Sequence, residues 1–129
     1  LVIIKKVEPA VVAIAHASEE GLLPAGAMIH ERNPGTGYRD ADLHWWVQAE
    51  TVVGFLNIYQ HFHDEAALDK ALCCYQYITN QLVDHERGEW YWSRREDGSI
   101  NRDDDKAGFW KCPYHNSRMC LEILERKKR

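Results

Sequence analysis

One stretch of the sequence concentrates groups that can do chemistry: Asp105-Lys106-Ala107-Gly108-Phe109-Trp110-Lys111-Cys112-Pro113-Tyr114-His115-Asn116-Ser117-Arg118. It sets aromatic rings, a histidine and several hydrogen-bonding side chains around one proline-interrupted turn. That mixture suits a polar, flat-faced ligand such as a sugar. Aromatic faces cover the apolar side of the ring, and polar side chains read its hydroxyls. His115 follows Pro113 closely, near an expected helix start. Exposed amides there favour the neutral imidazole, a competent base near neutral pH. The alternative is a histidine that only braces the turn.

Other residues carry two readings each. Trp110 follows Gly108, which permits close approach of backbone or ligand; the ring is either a ligand platform or an ordinary core aromatic. Trp46 and Glu50 lie one helical turn apart, a ring and a carboxylate on one stripe. Glu50 sits among apolar neighbours and so needs a partner, either a structural cation or a substrate. Cys112-x-x-His115 followed by Cys120 offers at most three metal ligands in one place, without a second knuckle, and His44, His61, His63 and His85 are scattered at helix ends. We therefore expect no metal. The sequence has neither a glycine-rich phosphate loop nor a nucleophile elbow.

The elements that must position these groups are mostly helical. Pro9 to Glu20 is rich in Ala, Val and Ile and stops at Gly21, which suits a helix C′ position. A Gly/Pro-rich stretch follows to Asp40, with a short strand expected at Ala27-Met28-Ile29-His30 and a turn at Asn33-Pro34-Gly35. A second helix, capped by Asp40 or Asp42, runs to about Phe62. It shows two stripes, Trp46, Glu50, Val53 and Asn57 on one and Trp45, Val52, Leu56 and Tyr59 on the other, so it is expected to be buried on two sides. Asp64 caps a third helix with Ala67, Leu68, Ala71, Leu72, Tyr75, Ile78 and Leu82 at helical spacing, opposite a wet face of Asp69, Lys70, Gln76 and Asn80. Glu89 to Ser93 reads as a strand and Asp97-Gly98 as a hairpin turn. A fourth helix starts between Pro113 and Asn116, its apolar side including Met119, Cys120, Ile123 and Leu124. The expected class is mostly α with one small β-hairpin.

At 129 residues and a net charge of −4, the chain has the size of one domain and no electrostatic reason to bind nucleic acid or an anionic membrane surface. Its basic end, Arg126-Lys127-Lys128-Arg129, reads as a helix terminus complementing the macrodipole, with a partner-binding tail as the alternative. No apolar run approaches the roughly 20 residues that span a bilayer. The four cysteines include the neighbours Cys73-Cys74 and form no secreted disulfide framework, so reduced, buried thiols in a cytoplasmic protein are expected. The chain begins in mid-pattern without Met, which reads as part of something longer.

Three motifs then combine: His44-Trp45-Trp46-Val47-Gln48-Ala49-Glu50-Thr51-Val52-Val53-Gly54-Phe55-Leu56-Asn57, Asp84-His85-Glu86-Arg87-Gly88-Glu89-Trp90-Tyr91-Trp92, and the Asp105 to Arg118 stretch continued through Met119-Cys120-Leu121-Glu122. In this order and at these separations they resemble the C-terminal part of cellobiose 2-epimerases, within the wider N-acylglucosamine 2-epimerase family. The resemblance implies an (α/α)6 barrel of twelve helices, of which residues 1–129 would hold the last four as the C-terminal part of one domain. It implies cofactor-free epimerisation at C2 of a reducing-end sugar through a cis-enediolate, with a carbohydrate as substrate. Two histidines transfer the protons; one corresponds to His115 and the other lies in a helix upstream of this sequence. None of His16, His30 and His44 occupies its motif. Trp110 would stack on a sugar ring and Trp46 would wall the same pocket, while Glu50, Lys111, Asn116 and Arg118 are motif positions with positioning or scaffold roles.

Two other functions compete. One is an N-acylglucosamine epimerase or aldose–ketose isomerase of the same fold, against which the Lys111-Cys112-Pro113-Tyr114-His115-Asn116 form favours a β-1,4-linked disaccharide. The other is a non-catalytic sugar-binding helical module. In either case, four helices taken from a closed barrel would expose their inner faces, so self-association of the isolated piece is expected.

Overall fold

Two short antiparallel ladders and three helices make up the computed structural model, which describes residues 18–127. β1 (Glu31–Asn33) pairs with β2 (Tyr38–Asp40) in the register Glu31↔Asp40, Arg32↔Arg39, Asn33↔Tyr38. The turn expected at Asn33-Pro34-Gly35 closes this hairpin: the Asn33 side chain accepts from the amides of Gly35 and Thr36, and its carbonyl accepts from Gly37. The strand expected at Ala27 to His30 is displaced along the chain. Only Met28 pairs there, as a single bridge to Leu22, and the ladder begins at Glu31.

The long helix α1 (Trp45–Phe62) starts later than its expected caps. Asp40 ends β2 and its carboxylate accepts from the Asp42 amide instead, while β3 (Leu43–His44) pairs with β4 (Ser93–Arg94), Leu43↔Arg94 and His44↔Ser93. The pairing with β4 holds residues 43 and 44 extended, so the helix begins at Trp45, whose amide donates to the Trp92 carbonyl at 3.0 Å. Gln48, fully buried, ties this start to the preceding loop. Its amide nitrogen donates to the Met28 carbonyl and its oxygen accepts from the Met28 amide, both at 2.7 Å.

Helix α2 (Glu65–Tyr77) is capped as expected by Asp64, which accepts from Ala66 and Ala67. Its last stretch widens into a π-helical turn, Ile78–Leu82, where the Val83 amide donates to the Ile78 carbonyl. The turn keeps Ile78 and Leu82 fully buried beside Cys74. Leu72 and Tyr75, expected in the core, are instead about half exposed. The buried line runs through Ala67, Ala71, Cys74 and Ile78, which leaves those two larger side chains on the outer side.

Helix α3 (Tyr114–Lys127) begins inside the expected window and contributes Met119 to the core, with Ile123 packed on it. Cys120 and Leu124, read as part of its apolar side, face outward. The core joins Trp45, Ala49, Val52 and Val53 of α1 to Cys74, Ile78, Leu82, Trp90 and Met119. A second cluster packs Phe55 of α1 on Ala67 and Ala71, so α1 is buried on two sides; of the expected stripe Trp46, Glu50, Val53 and Asn57, however, only Val53 is buried, because the second buried side runs through Phe55.

Most of the Pro9–Glu20 helix lies outside the described residues; residues 18 and 19 are helical, and the Gly21 amide donates to the Ser18 carbonyl. Gly21 is not in the left-handed region. A Cβ there would meet Met28 Sδ at 3.0 Å and Ile29 Cγ1 at 3.2 Å, so its value is close packing rather than a cap. Glu89 to Ser93 is no continuous strand: Trp90 bridges Val83, and only Ser93–Arg94 forms a ladder. The Asp97-Gly98 turn is present, with Gly98 at φ 83° and Arg94 bridged to Ile100. Of the cysteines only Cys74 is buried, its thiol pushed up to about 12 by burial and by neighbouring Cys73, while Cys73, Cys112 and Cys120 are exposed and all four are unpaired. At the basic end, Arg126 reaches back to Asn57, Gln60 and Glu122, and so ties α3 to α1.

Candidate active site

Glu50 on α1 and His115 at the start of α3 meet where the two helices pack. Glu50 Oε1 lies 2.7 Å from His115 Nδ1, and Glu50 Oε2 accepts from Arg118 one turn further along α3. A carboxylate only accepts, so in the neutral imidazole Nδ1 carries the proton and Nε2 keeps its lone pair. Among the described residues, no group bonds that Nε2. The His115 side chain is 30% exposed, reachable by a ligand yet held. The two sequence readings of Glu50 are resolved to this extent: its partners within the chain are His115 and Arg118.

Aromatic rings enclose the imidazole. Trp45 meets it edge-on at 5.3 Å, Tyr114 edge-on at 4.9 Å, and Trp46 at a tilt of 44° and 5.9 Å. Trp45 is core, whereas Trp46 retains 37% exposure and offers a face to a ligand. Trp110 is not brought to this cluster. It is 81% exposed, and its ring partner is the still more exposed Phe109, at 5.0 Å.

Beneath the exposed turn lies a polar scaffold. Lys111 is almost fully buried, its ammonium donating to the carbonyls of Lys106 and Trp90 and pairing with Glu89 at 3.3 Å, 5.1 Å from the Trp45 ring centroid. Burial pulls the Lys111 pKa down from the usual lysine value, and the Glu89 carboxylate acts in the opposite sense. Glu89 also accepts from Asn116 Nδ2 at 2.9 Å and from the Trp90 amide. Lys106 donates to Asp84 at 2.6 Å and to the Gly88 carbonyl. The Lys106 hydrogen bond, outweighing burial and helped by the amides of Arg87 and Glu86, holds the Asp84 carboxyl well below the usual carboxylate range. The Asp84–Trp90 loop and the Lys106–Asn116 turn are therefore one unit. Lys111 and Asn116 take scaffold positions in it.

Glu89 is the positioning residue that the sequence concealed. Its backbone is left-handed at φ 61°, directly after Gly88 at φ 75°. Read as the start of an alternating strand, it carries no mark of that conformation. The Gly88 beside it was the available signal.

Sequence reasoning also passed over His30 and Asp40. His30 Nδ1 lies 2.8 Å from Asp40 Oδ2, and the His30 ring stacks on His44 at 4.0 Å and 10°. His30 also meets Trp46 edge-on at 5.9 Å. Burial, then the nearby His30, pulls His44 below the usual histidine value. Burial works against ionisation of Asp40, but the Asp42 amide and His30 outweigh it and keep its carboxyl low. These three residues each bring one donor atom within 4.8 Å of the others. Nearly parallel rings, however, aim their in-plane lone pairs side by side and not at one ion. Cys112, His115 and Cys120, weighed as ligands in the sequence, do not bring donor atoms together among the described residues, and His115 Nδ1 is engaged by Glu50.

Several known proteins are similar to this chain. A cellobiose 2-epimerase of Bacteroides fragilis is 57% identical over 122 residues, covering 95% of this chain and 31% of the relative. One from Ruminococcus albus is 41% identical over 114 residues, covering 88% and 29%. The solved cellobiose 2-epimerase of Spirochaeta thermophila superposes with a TM-score of 0.81 at 38% identity, over 96% of this chain and 30% of that one. The chain thus spans about 30% of the length of these relatives. Residues 7–118 match the N-acylglucosamine 2-epimerase (GlcNAc 2-epimerase) family, and the chain belongs to it.

Proposed function

We propose that the complete protein is a sugar 2-epimerase acting on a reducing β-1,4-linked disaccharide of the cellobiose or mannobiose type, with this chain supplying one half of its acid–base centre. The observation that carries the proposal is the Glu50–His115 hydrogen bond of 2.7 Å beside the exposed Trp46 face. The high identity to named cellobiose 2-epimerases supports the choice of substrate. The helices of this chain would form part of an (α/α)6 barrel, as the C-terminal part of one domain.

In the proposed reaction the sugar ring opens to the aldehyde, and His115 Nε2 removes the C2 proton. The C2–H electrons form the C1–C2 double bond while the aldehyde oxygen takes the charge, giving a cis-enediolate. Rotation about C2–C3 exposes the other face, and a second histidine, carried outside this chain, returns a proton to C2. Glu50 steadies the imidazolium that forms, and Arg118 fixes Glu50. Trp46 walls the pocket and Trp110 stacks on a sugar ring from the exposed turn. No cofactor enters these steps. Alone, the chain has one of two bases and should not turn over substrate.

The test is product analysis of the complete protein on cellobiose and on N-acetylglucosamine. Epimerised cellobiose is expected; turnover of the amino sugar alone would overturn the substrate assignment. His115→Ala should also reduce deuterium uptake at C2 from heavy water by at least about 100-fold. Undiminished uptake would remove His115 from the role of proton carrier.

A further inference from the structure

The β1–β2 hairpin brings a second imidazole to the face of α1 that carries Trp46. His30 is held on three sides: by Asp40 through Nδ1 at 2.8 Å, by the parallel ring of His44 at 4.0 Å, and by the edge contact with Trp46 at 5.9 Å. Asp40 is itself oriented, because its other oxygen accepts from the Asp42 amide at 3.0 Å. The His30 side chain nevertheless keeps 27% exposure. With Nδ1 donating to the carboxylate, Nε2 is an acceptor, and no group among the described residues occupies it. A polar group oriented in advance loses little freedom when a ligand arrives, which favours binding.

Trp46 links this imidazole to His115, its ring centroid lying 5.9 Å from each. Both imidazoles thus border the same partly exposed indole, within the span of a disaccharide whose C2 lies at His115. We propose that His30 is a substrate-binding residue for the ring adjoining the one that is epimerised. Its Nε2 accepts a hydroxyl proton from that ring while Trp46 covers the apolar face. The inference rests on the epimerase reading of His115, and it names the group by which the pocket tells a disaccharide from a monosaccharide.

The experiment uses the complete protein with borohydride-reduced cellobiose and with glucitol, polyols that lack the aldehyde and so bind without turnover. In calorimetric titrations, His30→Ala should weaken binding of reduced cellobiose about tenfold, the effect of one hydrogen bond, and that of glucitol less than about twofold. Asp40→Asn should give a smaller loss of the same selectivity. His30→Gln, which retains an acceptor, should recover part of it. Equal weakening of both polyols, or no weakening of either, would overturn the assignment. If His30→Ala does not fold, His30→Gln and Asp40→Asn carry the same comparison. Failure of the epimerase reading itself would appear separately, as the parent protein yielding no epimerised cellobiose.

Discussion

Glu50 Oε1 and His115 Nδ1 lie 2.7 Å apart although 65 residues separate them in the chain. The contact exists because α1 and α3 pack through a shared core of Trp45, Ala49 and Met119. Glu50 therefore acts on the imidazole by position and charge. It selects which nitrogen of the neutral ring holds the proton, and in the proposed reaction its charge would steady the imidazolium that forms.

Glu50→Gln in the complete protein tests this role. The amide keeps the size of the side chain but loses the charge that stabilises imidazolium. We expect kcat to fall by about 10- to 100-fold with little change in KM. A merely structural Glu50 would lower the folded fraction and leave kcat per folded molecule unchanged.

Glu89→Ala should destabilise the Lys106–Asn116 turn. It leaves the buried Lys111 ammonium without its anion and removes the acceptor of Asn116. The expected cost is about 1–3 kcal/mol, read from denaturant unfolding of the complete protein. Glu89→Gln should recover the Asn116 contact and part of the loss.

Asp84 and Lys106 predict an acid-dependent contribution. The folded Asp84 carboxyl is held below its ordinary value, chiefly by Lys106, so its stabilisation is fully present above the unfolded value of about 3.9. It is lost as pH falls through the lower folded value. Lys106→Met should therefore lower the melting temperature at pH 7, and the gap to the parent should narrow below about pH 4. A gap independent of pH would assign the effect to packing.

The isolated 129-residue chain should self-associate. Leu72 and Tyr75 on α2, and Leu121 and Leu124 on α3, are each 43–62% exposed, and Phe109 and Trp110 are exposed as well. Sedimentation velocity across a concentration series should show mass increasing with concentration. A monodisperse monomer throughout would contradict the expectation.

The sequence by itself determined the helical class, the Asp64 cap and the start of α3. These are local matters, set by periodicity, caps and turn residues that act over a few positions. Its errors are also physical. Asp40 looked like a helix cap, but the pairing of residues 43 and 44 with Ser93–Arg94 moved the helix start to Trp45. Leu72 and Tyr75 have core residue types at helical spacing, yet the burial of α2 is decided by which stripe meets α1. Tertiary packing alone decided that Glu50 faces His115 and Arg118, that left-handed Glu89 gathers Lys111 and Asn116, and that His30 reaches Trp46. Each of these contacts joins residues far apart in the chain, where local propensity carries no information about which side chains will meet.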